Sequence, residues 1–401
     1  MSRRTKIIIL IAVLALVGVA AFLFFRKPPA APEPTASPAY GFLPESLQRL
    51  FGGGGARPGS VSPTPVPRDV RLREKLFRLS HEPAHAPIVV GGNTVRYFSR
   101  SDGTLWEADV DGLAHTRVSD TPIANIAEAQ WASGGSKALL TIAQDDGTAR
   151  IRLYEVAAKR AKDLDPFVRS AAFAPDGARI IYQYLNTENG SHWIAIADPD
   201  GSNAKIIWQP TFLDYTLAWP KTETAIIQSK PSYASRTALY GLDTRTGTLT
   251  KILPQDAFGL AATWAWGGTR LLASQVSAEG ELGNALLGTF PQSQLTELFG
   301  IKTLAEKCLW RAKKAAIICG VPTAIPQNAV LPDDYYKGKV ISTDDVVEVD
   351  GTTLERRVIA GSRELAPVFD MDAPILSPDE SLVFFVNRHD GYIYALRLNA
   401  Q

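Results

Sequence analysis

One nine-residue pattern recurs along the chain without gaps: WASGGSKAL from Trp131, FAPDGARII from Phe173, WPKTETAII from Trp219, WAWGGTRLL from Trp264, WRAKKAAII from Trp310 and LSPDESLVF from Leu376. A weaker copy, IVVGGNTVR, starts at Ile88. Each copy sets a bulky apolar anchor before a tight turn and an alternating apolar strand, which is how a β-hairpin reads. The anchors lie 43, 42, 46, 45, 46 and 66 residues apart. A period in the forties holds several strands, and a unit of that size buries its apolar faces only by stacking on its neighbours, as propeller blades do.

Two more strands follow each hairpin. In the third unit Ser191 to Ala197 and Ala204 to Trp208 flank the turn Asp198-Pro199-Asp200-Gly201, and in the fourth Ala238 to Leu242 and Thr248 to Leu253 flank Asp243 to Gly247. Unit seven runs through Leu382 to Val386 and Tyr392 to Leu398, and the sequence ends at Gln401 before an outer strand. The stretch Leu72 to Ser80 has strand character and lies one strand ahead of unit one, so it is expected to supply the outermost strand of blade seven and close the ring. The expected fold is all-β: a seven-bladed β-propeller of four-stranded blades over residues 71–401, closed by an N-terminal strand.

The turns Phe173-Ala-Pro-Asp-Gly177 and Leu376-Ser-Pro-Asp-Glu380, each ahead of an apolar strand, resemble the PD40 or TolB-like (WD40-like) propeller repeat. The Gly-His and Trp-Asp marks of the WD40 repeat itself are absent. The resemblance covers roughly residues 72–399 and implies the fold far more than the function, since this repeat serves envelope proteins, peptidase propeller domains and lyases alike. TolB-like proteins carry an α/β domain ahead of the propeller, and this chain has other sequence there, so their lipoprotein partner is not implied. The α/β-hydrolase domain of prolyl-oligopeptidase-type peptidases is not implied either, because no G-x-S-x-G elbow occurs.

Ahead of the repeats, Ile7 to Phe25 is an uncharged apolar stretch of nineteen residues. At about 1.5 Å per residue it covers a hydrocarbon core of roughly 30 Å. It ends in Phe22-Leu23-Phe24-Phe25 rather than a small-residue cleavage site, which reads as a retained transmembrane helix rather than a signal peptide. Arg3, Arg4 and Lys6 before it outnumber Arg26 and Lys27 after it, placing the N-terminus in the cytoplasm and the propeller outside. Residues 28–70 read as a Pro/Gly-rich disordered linker, stiff at Pro28 to Pro38, flexible at Gly52 to Gly55 and stiff again at Pro63 to Pro67. Within it Leu43, Leu47, Leu50 and Phe51 form a short helical stripe suited to docking on a partner, or to resting on the chain's own domain or on lipid.

The formal charge of +1 gives no field for nucleic acid, which is not an expected partner. His81-Glu82-Pro83-Ala84-His85 matches the zincin pattern H-E-x-x-H. That pattern works on a helix, and Pro83 sits inside the required turn between two strands, so no metal is expected there. Asp198, Asp200, Gly201 and Asn203 suggest an oxygen-rich cation loop but read better as a hairpin turn. His115, His192 and His389 fall singly in different blades. No catalytic set and no cofactor is expected.

The repeat alignment sets Cys308 and Cys319 opposite each other on adjacent strands. Opposed residues of an antiparallel pair approach closely enough for a disulfide, which an oxidising compartment favours; two small buried thiols are the other reading. The long spacing in unit six places about twenty extra residues between its second and third strands, within 320–340. Asp333, Asp334, Tyr335, Tyr336 and Lys337 there form the candidate binding loop, as a recognition patch on the face where such loops gather. The competing reading is a loop that covers a neighbouring blade or the central channel. The function expected from these features is a membrane-anchored, extracytoplasmic protein-binding or scaffolding module of a bacterial-type cell envelope. A propeller-type lyase or hydrolase of envelope glycan, and a constitutive structural subunit of an envelope machine, are the alternatives.

Overall fold

The computed structural model describes residue 71 and residues 74–398 apart from 214, 254 and 291–294. The apolar segment Ile7 to Phe25, the linker, its leucine stripe and the start of the closing stretch at Leu72 lie outside the described residues. Among the described residues no helix is long and apolar enough to cross a membrane.

Seven antiparallel sheets follow one another along the chain. Their inner strands are Ala84–Val90, Ile126–Trp131, Val168–Phe173, Tyr215–Lys221, Ala257–Trp264, Cys308–Arg311 and Met371–Leu376. Inner strands of successive blades touch from blade one to blade four, from blade five to blade seven and from blade seven back to blade one, and each sheet steps outward from its inner strand through three more. The repeat anchors Trp131, Phe173, Trp264 and Leu376 are the last residues of inner strands, while Trp219 and Trp310 sit just before the strand ends.

The turn after each anchor explains the motif. In blade three Gly177 N donates to Ala174 O at 2.8 Å, and Gly177 has φ +69°, with an added Cβ only 3.0 Å from the Ala132 methyl of the preceding blade. Blade seven has Glu380 at the same place, with φ +60°. A side chain costs about 1 kcal/mol or more in that conformation. Here it is offset because Glu380 Oε2 accepts from the buried Arg311 Nε at 3.0 Å and Oε1 from Lys313 N at 2.8 Å in blade six.

The ring closes as the strand pattern requires. Leu76–Arg78 pairs with Ile393–Arg397, setting Leu76 opposite Leu396 and Phe77 opposite Ala395, and Leu79 N donates to Ile393 O at 2.8 Å. Phe77, Tyr97 and Phe384 then share one core across the seam between the last and first blades. Burying a side chain of this size is worth about 1.5–3 kcal/mol, so closure stabilises both blades. Blade five carries a fifth strand that the repeat does not show: Arg236–Thr237, from the connection within blade four, pairs with Ala257 and Phe258 on its inner edge.

In blade six Cys308 and Cys319 are register partners, and their sulfurs are bonded at 2.11 Å.

Candidate functional site

Antiparallel connectivity puts two kinds of connection on one face: those between second and third strands, and those from one blade to the next. The insertion of blade six lies on this face, between Ala316–Ala324 and Thr343–Asp350. It does not stand out into solvent. Leu331 N donates to Gly280 O of blade five at 2.9 Å, and Asp333 accepts from Ser232 Oγ at 3.1 Å and Tyr233 N at 2.9 Å in blade four. On the other side Arg388 Nη2 of blade seven donates to Tyr335 O at 2.8 Å. The insertion thus spans four blades on the loop face.

The candidate binding residues are therefore brought together but turned inward. Tyr335 is only 5 % exposed, with the Arg388 guanidinium 3.6 Å from its ring centre. Asp333 is engaged as above, and Asp334 accepts from Val330 N at 2.9 Å, which shapes the turn ahead of the short helix Asp333–Tyr336. Tyr336 packs against Leu331 and Val340, leaving Lys337 as the one exposed member, its Nζ 3.8 Å from Asp333. The two tyrosines do not form the outward aromatic patch that their composition suggests. A loop dense in Pro, Ile, Val and Leu buries those residues where it can, and the aromatic pair goes with them.

Beneath the insertion lies a charge network that strand patterning does not reveal. Lys307 is fully buried, and its Nζ donates to Asp370 Oδ1 at 2.6 Å, Ser342 Oγ at 2.7 Å and Asp344 Oδ1 at 2.9 Å, with Asp344 Oδ2 at 2.7 Å. Asp344 and Asp370 are themselves fully buried, and Tyr335 donates its hydroxyl to Asp370 at 3.4 Å. Burial raises the Asp344 carboxyl above the ordinary range against the pull of Lys307. Glu306 and Asp372 are raised by burial as well. The trace of this network in the sequence is slight: acids open the strand Thr343–Asp350 and flank Met371.

The other sequence candidates separate. His81 and Glu82 lie in a connection and His85 in an extended strand, so the H-E-x-x-H segment has no helical face. The His81 ring sits 4.4 Å from Trp106 and 4.8 Å from His115, with Nδ1 3.2 Å from the Tyr97 hydroxyl. His85, by contrast, is on the inner strand of blade one, where burial and then the Arg100 charge push its pKa down to about 3. Asp198 to Asn203 form a hairpin turn whose Asp200 pairs with Lys162 at 2.8 Å. His192 meets the Tyr215 hydroxyl at 3.0 Å, and His389 the Ser342 carbonyl at 2.9 Å. Among the described residues no group of three or more His, Cys, Asp or Glu is placed to hold a metal ion.

The loop face does carry exposed apolar side chains. Of nine large exposed hydrophobic residues among those described, Leu213, Tyr233, Phe299, Ile341 and Val368 lie in its connections. Phe299 is 75 % exposed. Leu113 and Leu354 belong to the opposite face, and Ile206 and Val358 to outer strands. The chain enters the propeller from that opposite face: Arg71 O lies 3.4 Å from Arg397 Nη2, which reaches Asp111 in the far connection of blade one.

No protein-family model and no curated protein matches the chain. Solved propellers do. An oligogalacturonate lyase in complex with manganese aligns over 80% of this chain and 93% of its own at 10% identity and TM-score 0.57. The β-propeller domain of the trilobed protease from Pyrococcus furiosus aligns over 79% and 96% at 11% identity and TM-score 0.51. TolB from Acinetobacter baumannii aligns over 77% and 64% at 13% identity and TM-score 0.39, too low to carry an argument. At these identities the likeness shows a β-propeller and nothing of its chemistry.

Proposed function

We propose that this chain is a membrane-tethered, extracytoplasmic propeller that binds a protein partner through its loop face, without catalysis. The observation that carries the reading is the concentration of exposed apolar side chains on that face, led by Phe299, while the chain enters from the other. Apolar side chains held in solvent on one side of a folded domain are what a docking surface requires. The apolar run Ile7 to Phe25 and the linker after it supply the anchor and the reach. The buried state of Tyr335 moves the recognition surface away from the insertion's tyrosines to its rim, at Ile341 and the neighbouring Val368.

The test is site-specific photo-crosslinking in intact cells, with the photoreactive residue at Phe299 or Ile341 and, as controls, at Leu113 or Leu354. A discrete protein adduct from the first pair alone, lost in Val368→Asp, is expected. Equal labelling from both faces would overturn the assignment. Sedimentation of the full chain with alkali-washed membranes, and protection of the propeller from protease until the envelope is opened, test the anchor and its orientation.

A further inference from the structure

Among the described residues a single hydrogen bond ties the connection from blade three to blade four, residues 209–213, to the blades it joins. Gln183, on the second strand of blade three and 1 % exposed, donates from Nε2 to the Leu213 carbonyl at 2.9 Å. Phe212 adds packing, its ring 5.7 Å from that of Trp208 and 5.2 Å from that of Tyr215. Leu213 itself is 54 % exposed on the loop face.

The chemistry of this contact fixes a tautomer. A carbonyl oxygen only accepts, so the group that Gln183 turns towards Leu213 is its NH2. The same nitrogen lies 3.1 Å from His192 Nε2, which also stands 3.0 Å from the Tyr215 hydroxyl. With an amide N–H facing it, Nε2 carries the lone pair, shared between Gln183 and Tyr215 as donors, and the ring proton sits on Nδ1. Gln183 and Tyr215, the first residue of the inner strand of blade four, are buried, and His192 is half-buried beside them.

A proton on Nε2 turns this acceptor into a donor. Two donors then face each other across 3.1 Å. Turning the amide over sets Gln183 Oε1 against the Leu213 carbonyl, acceptor against acceptor, so neither orientation serves both neighbours. The Tyr215 hydroxyl can accept from the imidazolium, but only Gln183 holds Leu213. No charged side chain among the described residues acts on His192, and burial alone holds its pKa below the ordinary value. Asp214, next to Leu213, lies outside the described residues.

We infer that His192 is a switch for this part of the loop face: neutral, it lets Gln183 hold the Leu213 connection in place, and protonated, it releases the connection. The inference rests on the loop face being the docking surface and adds the regulation of that surface. Its sign follows from the tautomer. The held connection requires neutral His192, so its stability is present above the ordinary histidine value of about 6.5 and is lost as pH falls below it. Acid therefore frees Leu213 from its place and weakens docking at that end of the face.

The test is fluorine NMR on the full-length protein in detergent, with para-fluorophenylalanine at Phe212, whose ring leaves those of Trp208 and Tyr215 when the connection is released. At pH 8 one resonance is expected. As pH falls from 6.5 to 5 a second should grow, by at most about tenfold per pH unit while it is the minor form. His192→Gln, whose amide oxygen accepts in place of Nε2, should keep the single resonance throughout, and Gln183→Leu should show the second already at pH 8. Asp214→Asn should respond to pH as the wild type does. No change in the wild type, the same change in His192→Gln, a held connection in Gln183→Leu, a lost response in Asp214→Asn, or nitrogen shifts that put the His192 proton on Nε2 at pH 8 would each overturn the inference. None of these readings uses the partner, so absent crosslinks with the switch intact count against the docking surface alone.

Discussion

Replacing Lys307 by Met keeps the length and most of the volume of the side chain and removes only its charge. In the wild type that charge meets three oxygens within 2.7 Å, one each from Asp370, Ser342 and Asp344, and none of the three charged groups reaches solvent. Without the ammonium, Asp344 and Asp370 remain buried with only the Arg388 guanidinium, 3.9 Å from Asp370, as a cation in reach, a loss of about 3–5 kcal/mol. With an unfolding entropy of roughly 0.7 kcal/mol/K for a domain of about 330 residues, that lowers Tm by about 4–7 °C. The deficit should depend on pH. Asp344 already has its folded pKa raised, and losing Lys307 raises it further, so the folded state holds a proton that the unfolded chain releases above about pH 4. Stability of Lys307→Met therefore falls as pH rises through that window, and the gap from wild type is narrower at pH 5 than at pH 8. Thermal and urea unfolding at the two pH values measure it, and Asp344→Asn added to Lys307→Met should recover part of the loss. A deficit under about 1 kcal/mol, or one identical at both pH values, would refute the view that Lys307 neutralises this pair.

Glu380→Gly relieves the left-handed backbone but leaves buried Arg311 with Glu348 as its remaining acid, so a net loss of about 1–3 kcal/mol is expected in thermal melts; a gain would mean that backbone strain outweighs the ion pair. Unreduced protein should show no alkylatable thiol by mass spectrometry, and the Cys308→Ala, Cys319→Ala double variant should lose about 2–3 kcal/mol. His85 stays neutral in the fold down to about pH 3, whereas the unfolded chain protonates it below about pH 6.5. Its contribution is therefore present above that value and lost as pH falls through the window, and His85→Gln should flatten the decline between pH 6.5 and 4 by about 1 kcal/mol after allowing for partial exposure. Parallel pH profiles for variant and wild type would count against it.

The sequence by itself determined the blades. Their period, the apolar anchor at the end of each inner strand, the tight turn after it and the alternation in the next strand are all local, and hydrogen bonding between adjacent strands turns them directly into hairpins. The same locality made the pairing of Cys308 with Cys319 readable, since both positions belong to one hairpin and its turn sets their register. Closure by Leu76–Arg78 was legible for a different reason: a ring of four-stranded blades leaves one strand owing, and one strand-like stretch stands ahead of the first blade.

What only the tertiary structure decided was the fate of the insertion and of the charges under it. Ser342, Asp344 and Asp370 meet Lys307 from 35, 37 and 63 positions away, and Arg388 reaches Tyr335 across 53. Nothing in a repeat of strands announces such meetings, because alternation records which side of its own sheet a residue faces and not what the next blade sets against it. Asp333 to Lys337 read as a polar aromatic patch in the chain. Packed across four blades, the tyrosines of that run face inward while Lys337 stays exposed, because the desolvation of Tyr335 is met by Arg388 and Asp370, groups that only the closed ring brings within reach.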